Sequence, residues 1–202
     1  SLFPIRVKGP GGVGYLNNVI KVASGRDHLL ALRSDGTVWA VGSNFLGQLG
    51  IGANSDYNTF TPVQVKTPNG QGYLTGIVDI AAGEFNSFAV DQNGYVYAWG
   101  DRLYGALGDG VLRTWEDPNE TRMASLPVRV QVSGGGDLTG VAQIESGYGW
   151  TIARKSDGTV WAWGLNEIDE FKILGVGSNS MYVTRATQVR GVGGSGNLSN
   201  IT

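Results

Sequence analysis

Ser34-Asp35-Gly36-Thr37-Val38-Trp39-Ala40-Val41-Gly42 decides the fold, because the chain writes it three times. It returns as Asn93-Gly94-Tyr95-Val96-Tyr97-Ala98-Trp99-Gly100 and as Ser156-Asp157-Gly158-Thr159-Val160-Trp161-Ala162-Trp163-Gly164. Asp-Gly and Asn-Gly favour primed hairpin turns, since their central residues tolerate positive φ and so match the twist of the flanking strands. Before each turn runs a short apolar segment that opens on a Gly: Gly25 to Leu32, Gly83 to Val90, Gly147 to Ala153. Working outward, 58 residues separate Gly25 from Gly83 and 64 separate Gly83 from Gly147, the difference falling in loops. Two more landmarks keep the period. Leu16-Asn17-Asn18-Val19-Ile20 is echoed from Leu74, Leu138 and Leu198, and Pro62-Val63-Gln64-Val65 is echoed from Pro4, Pro127 and Ala186.

Each unit therefore holds four strand-like runs, which in the first are Val19 to Ala23, Leu29 to Leu32, Thr37 to Val41 and Pro62 to Val65. They are rich in β-branched and aromatic residues and bounded by Gly, Asp and Asn. Thr37 to Val41 does not alternate cleanly with polar residues, which predicts a strand covered on both faces. Ala23, Ala31, Ala40 and Gly42, with Ala81, Ala89, Ala98 and Gly100, leave room for sheets to approach closely. A period this long means units that bury their apolar faces only against one another. Four-stranded blades around a channel form a β-propeller; a linear solenoid of sheets is the alternative. The expected fold class is all-β, with blades of four antiparallel strands in a single repeat domain over 1–202. The blades are placed at about 16–66, 74–131 and 138–190, with 1–15 and 191–202 in incomplete neighbouring units.

With 41% hydrophobic and 16% charged residues, the 202-residue chain has enough apolar content for a core. Its net charge of -2 gives no overall drive toward nucleic acid or anionic lipid, and the basic residues are scattered. No apolar run approaches the roughly 20 residues that span a bilayer. Neither a nucleic-acid partner nor membrane insertion is expected. The absence of Cys excludes disulfides, thiolate zinc sites and cysteine nucleophiles.

Catalytic chemistry finds little to work with. The only His is His28, at a position the repeat explains, which removes the commonest hydrolytic triad. Asp101, Asp109, Glu116, Asp117, Glu145, Glu167, Asp169 and Glu170 are the candidates for a carboxylate pair, and their spacing is that of ordinary loop charge. Asp109-Gly110 and Glu167 to Glu170 fall short of a complete calcium loop. The Gly-rich stretches 9–14 and 191–196 lack the Lys-Ser or Lys-Thr of a phosphate loop and read as turns between blades. No catalytic residue, metal or cofactor is expected, and the chain is read as a non-enzyme.

The motif Gly25-x-x-His28-x-x-Ala31-Leu32, then Ser34 to Gly52 with its Gly47-Gln48-Leu49-Gly50 turn, then Thr61-Pro62-Val63-Gln64-Val65, resembles the repeat of the regulator of chromosome condensation family. The resemblance implies a propeller of about seven blades, of which three lie here. It also implies that both ends are cut within units, leaving a section of a longer propeller or one completed by self-association with another copy. The family His is kept only at His28, its counterparts being Asn86 and Trp150. The Gly-Gln-Leu-Gly turn becomes Gly105-Ala106-Leu107-Gly108 and is interrupted before Leu174. Long insertions fall at roughly 110–125 and 165–181, where binding surfaces often sit. Plant ultraviolet-B photoreceptors share the repeat with a run G-W-R-H-T; Gly147-Tyr148-Gly149-Trp150-Thr151 lacks its Arg and His, so light sensing is not expected.

By this resemblance, residues following the repeat Gly line one face around the channel: Arg26 and Asp27, Glu84 and Phe85, Tyr148 and Gly149. Those following the hairpin Gly add Asn44 and Phe45, Arg102 and Tyr104, Asn166 and Glu167. Trp115, in an insertion, and Trp150, in place of the family His, complete the candidates. Affinity at such faces concentrates in aromatic and Arg anchors, here Phe85, Tyr104 and Tyr148. The reading is a non-catalytic scaffold or protein-binding module whose partner is a protein of unstated identity. A regulator of an enzyme or GTPase and a glycan-binding propeller are the alternatives. The repeat style resembles large bacterial surface or secreted proteins, which implies an extracellular or cell-surface location.

Overall fold

A computed structural model describes residues 3, 5–53, 59–118, 122–168 and 170–201; Pro4, Glu120, Asp169 and Thr202 lie outside the described residues. Three four-stranded antiparallel sheets follow one another along the chain. The first is β1 (Val19–Ser24), β2 (His28–Arg33), β3 (Val38–Gly42) and β4 (Thr59–Gln64), paired in sequence order. β5 (Ile77–Ala82), β6 (Asn86–Asp91), β7 (Val96–Asp101) and β8 (Met123–Arg129) make the second. The third is β9 (Val141–Ser146), β10 (Trp150–Lys155), β11 (Val160–Leu165) and β14 (Tyr182–Gln188). A small hairpin, β12 (Glu167–Ile168) and β13 (Phe171–Lys172), is inserted before its last strand. β5 lies against both β1 and β9, whereas β14 meets the chain beyond β8 at an isolated bridge between Val132 and Ala186. First strands therefore converge, as those of blades radiating from an axis do.

The repeated Gly at the end of the third strand has a steric cause. Gly42, Gly100 and Gly164 sit at φ 115, 102 and 100, where a side chain is strained. A Cβ there would meet the carbonyl oxygens of Asp27, Phe85 and Gly149 at 2.4, 2.4 and 2.2 Å. Those same carbonyls accept hydrogen bonds from the next residue on, Ser43, Asp101 and Leu165, at 2.7, 3.1 and 2.8 Å. The Gly thus lets two loops of one blade cross at van der Waals contact.

Blades are joined by a second device. The indole of Trp99 enters the Gly47-Gln48-Leu49-Gly50 turn of the first blade and donates Nε1–H to the Gln48 carbonyl at 2.8 Å. Trp163 does the same to Ala106 in the second blade at 3.0 Å. A Cβ on Gly50 or Gly108 would lie 2.9 Å from that ring, so both positions stay Gly. Around each indole closes an apolar cluster. Leu30, Leu32, Val38 and Leu49 meet Ile77, Ile80 and Trp99; Phe88, Val90, Val96 and Leu107 meet Val141, Ile144 and Trp163. The second blade, covered on both faces, has β6 buried almost throughout. Val19, Val22 and Leu29 on the first blade and Ile152 and Ile173 on the third are exposed, because no neighbour covers those faces among the described residues.

Polar groups also bridge the blades. Asp79 on β5 accepts from Lys21 Nζ on β1 at 2.5 Å and from the Ile144 N–H on β9 at 3.1 Å, tying the three first strands through one carboxylate. His28 is buried, with Nε2 2.9 Å from Ser87 Oγ, while that hydroxyl donates its one proton to Gln48 O. Nε2 must then be the protonated nitrogen of a neutral ring. Burial lowers its pKa to about 4, against smaller upward pulls from the Asn86 backbone and Asp27.

Two outcomes follow from these contacts. Gly100→Ala places a methyl group against the Phe85 carbonyl in a strained backbone region and is expected to cost about 3 kcal/mol in denaturant unfolding. Because folded His28 resists a proton that the unfolded chain takes up, stability falls as pH drops from 6.5 toward about 4. That decline amounts to at most about 3 kcal/mol and is flat above the window. His28→Asn, the residue of the second blade at this position, removes that part of the pH dependence; urea unfolding of both proteins across the window measures it.

Candidate functional site

Backbone contacts bring the loops of the predicted face together: the Arg26 N–H donates to the Glu84 carbonyl at 3.1 Å across the first two blades. On the second and third blades, Glu84, Phe85, Tyr104, Trp115 and Tyr148 line one small cavity of about 30 Å³, together with buried Leu103 and Ala106. Trp115 and Tyr148 are 57% and 56% exposed, so the rings form a rim rather than a core.

Tyr104 organises this rim. Its φ of 63 lies in the left-handed region, where a bulky side chain is an outlier. The backbone is held there by Tyr104 N–H donating to Arg113 O at 3.0 Å and by the tight turn of Gly105 N–H to Arg102 O at 3.1 Å. The ring stacks on Tyr182, centroids 5.3 Å apart, and meets Trp115 edge to face at 6.5 Å. Trp115 Nε1–H donates to the Tyr104 hydroxyl. At the equivalent place in the first blade stands Leu46, which is buried and lacks this conformation.

The insertion after β7 supplies Trp115. It folds back on its own blade through a bridge between Leu103 and Arg113. Asp109 and Asp117 accept from the backbone N–H groups of Val111 at 3.1 Å and Thr114 at 2.7 Å, so they shape turns. Arg122 lies 4.5 Å from the Trp115 ring centroid and pairs with buried Asp101 at 3.3 Å. Burial raises the Asp101 pKa, and the Arg122 charge works against that rise.

The remaining candidates are spread around this centre. Arg26 bonds Glu84 at 2.8 Å, lies 3.7 Å from Asp27 and sits 5.4 Å from the Phe85 ring centroid. Arg102 is drawn into its own blade by Asp109 Oδ2 at 2.9 Å and the Met123 carbonyl at 3.2 Å. Phe45 is exposed on the first blade and does not line the cavity. Trp150 belongs to a different surface, a groove on the third blade with Ile152, Ile168 and Ile173. Sequence reasoning did not find Tyr182 or Arg122. Arg122 lies in the insertion before β8, whose path the period does not dictate, and Tyr182 opens β14, where the corresponding strands of the other blades start with Thr59 and Met123. Glu167 pairs with Lys172 across the small hairpin. Among the described residues, no cluster of three or more His, Asp or Glu is placed to hold a metal.

These features define an array of propeller blades bearing an aromatic rim at one blade junction. The pattern of the regulator of chromosome condensation (RCC1) repeat matches residues 35–90 in one form and residues 19–48, 77–106 and 141–167 in another, and the chain belongs to this family. It is 32% identical over 153 residues to a bifunctional serine/threonine-protein kinase/NEDD4-like E3 ubiquitin-protein ligase of Dictyostelium discoideum, covering 73% of this chain and 8% of that protein. Protein pim1 of Schizosaccharomyces pombe is 30% identical over 178 residues, 87% of this chain and 30% of its own. The ultraviolet-B receptor UVR8 of Arabidopsis thaliana is 28% identical over 179 residues, 89% of this chain and 35% of its own. The chain thus spans about a third or less of these relatives. Among solved structures, Prp20p from Saccharomyces cerevisiae superposes with a TM-score of 0.68 at 23% identity, covering 88% of this chain and 39% of that one. Human WBSCR16 gives 0.67 at 24%, with the same coverage. At these identities the two structures speak for the fold, which is that of β-propeller blades.

Proposed function

We propose that this chain is a non-catalytic protein-binding module whose contact surface is the aromatic rim at the junction of the second and third blades. The observation that carries the reading is the convergence of Phe85, Tyr104, Trp115 and Tyr148 on one cavity, from two blades and one insertion. Exposed aromatic rings at the centre of a rigid face are the residues that dominate binding energy in protein interfaces. The left-handed Tyr104 adds weight, because strain in a bulky residue persists where its surroundings hold it for a purpose. Family context agrees: the Prp20p structure is described with its binding to Gsp1p and histones, and another holds yeast RCC1 bound to Kap60. Arg26, Asp27 and Glu84 form the polar margin of the same surface.

A second reading concerns assembly of blades at about 16–66, 74–131 and 138–190. Val19, Val22, Leu29 and Val41 hold, one period earlier, the positions of Ile77, Ile80, Ser87 and Trp99, which are buried against the first blade. We propose that the exposed faces of the first and third blades seat a second copy.

Each reading has its own measurement. Peptides selected from a random displayed library against the chain are expected to lose at least about tenfold in affinity on Trp115→Ala with Tyr148→Ala. Unchanged affinity for every selected peptide would remove the rim as the contact surface. For assembly, sedimentation at micromolar concentration is expected to give a mass above one chain, reverting to one chain on Leu29→Asp. A single-chain mass throughout rejects it.

A further inference from the structure

We propose that the rim cavity takes the ammonium group of a lysine side chain presented by the partner, an inference that rests on the reading of this face as a binding surface. The cavity is walled by Phe85, Tyr104, Trp115 and Tyr148, and the charged side chains among its lining residues are carboxylates only, Glu84 and Asp101. Among the described residues, Lys, Arg and His are absent from the lining. Aromatic faces attract cations through the ring quadrupole, more strongly where water is thinned by neighbouring walls. The molecule already demonstrates this at the same rings: Arg122 lies 4.5 Å from the Trp115 centroid and Arg26 5.4 Å from that of Phe85.

Charge and size narrow the occupant. Asp101 is engaged by Arg122 within the blade, at 3.3 Å. Glu84 bonds Arg26 at 2.8 Å through Oε1. Arg26 keeps 61% of its side chain exposed, so it can swing aside, and the carboxylate is then free to meet an incoming cation. A cavity of about 30 Å³ admits a group the size of water or ammonium and not a flat guanidinium lying within it. Lysine therefore fits better than arginine. Its alkyl stem would lie along the exposed edge of Tyr148, as long cationic side chains cover apolar surface.

The test uses the indole N–H signal of Trp115, which reports on its bond to the Tyr104 hydroxyl. Three capped amino acids are titrated into the 15N-labelled chain: lysine, Nε-trimethyl-lysine and Nε-acetyl-lysine. Lysine is expected to shift this signal saturably in the millimolar range; acetyl-lysine, which has lost the charge, and trimethyl-lysine, whose head is bulkier than the guanidinium the cavity excludes, at least about tenfold more weakly. Tyr148→Ala abolishes the shift. Glu84→Gln weakens lysine binding about threefold to tenfold at low salt, while Arg26→Ala, which frees Glu84, leaves binding equal or tighter. Equal response to acetyl-lysine overturns the cation and leaves an apolar notch. If no ligand moves the signal up to about 20 mM, well past the millimolar affinities of single weak contacts, the lysine inference falls. Library peptides that still depend on Trp115 and Tyr148 would then keep the binding face intact; their failure as well would remove both.

Discussion

One hydrogen bond between blades, from an indole N–H to a turn carbonyl, organises most of what surrounds it. For Trp163 to reach Ala106 O, the turn must bring its carbonyl to the blade surface and leave no Cβ in the path of the ring, which fixes Gly108. The ring then supplies the largest buried side chain of the junction and packs edge to face on Phe88 at 6.2 Å. Burying an indole without a partner for its N–H is costly, so ring and carbonyl depend on each other. The same unit at Trp99 and Gln48 adds Ser87 and His28 to the network. With Asp79 clamping the first strands at the inner edge, each junction is held at two radii.

The blades were legible because their constraints are local. Asp35-Gly36, Asn93-Gly94 and Asp157-Gly158 announce hairpins, and β2 with β3, β6 with β7 and β10 with β11 pair as those turns demand. The expected two-sided cover of the third strand holds for β7 and β11 and only partly for β3. Cover depends on which side the neighbour lies: Trp163 on β11 packs into the second blade, whereas Val41 at the same place on β3 meets no blade among the described residues.

The rim was half legible. Phe85 and Tyr148 were found from their place after the repeat Gly, and Tyr104 from its place after the hairpin Gly, because the frame fixes where those loops emerge. Arg102 shares that origin, yet its guanidinium turns inward to Asp109, a choice made by a side-chain pair rather than by the frame. Tyr182 was hidden for the opposite reason: it stands at the start of β14, and its ring reaches Tyr104 only once the insertion before it has closed. Insertions follow no period, so their contributions had to be seen in three dimensions.

Val41 stands where the other two blades carry the indole. A blade placed before it would offer a turn carbonyl and receive no donor from that side chain. The three blades are therefore not exchangeable tiles. The junctions carry an address, with the indole-bearing faces accepting only a neighbour whose turn presents its carbonyl and its Gly, and the first face accepting a neighbour that asks for neither. An array built in this way encodes the order of its own parts. Shuffling repeats during its evolution would preserve every hairpin and still scramble the seams.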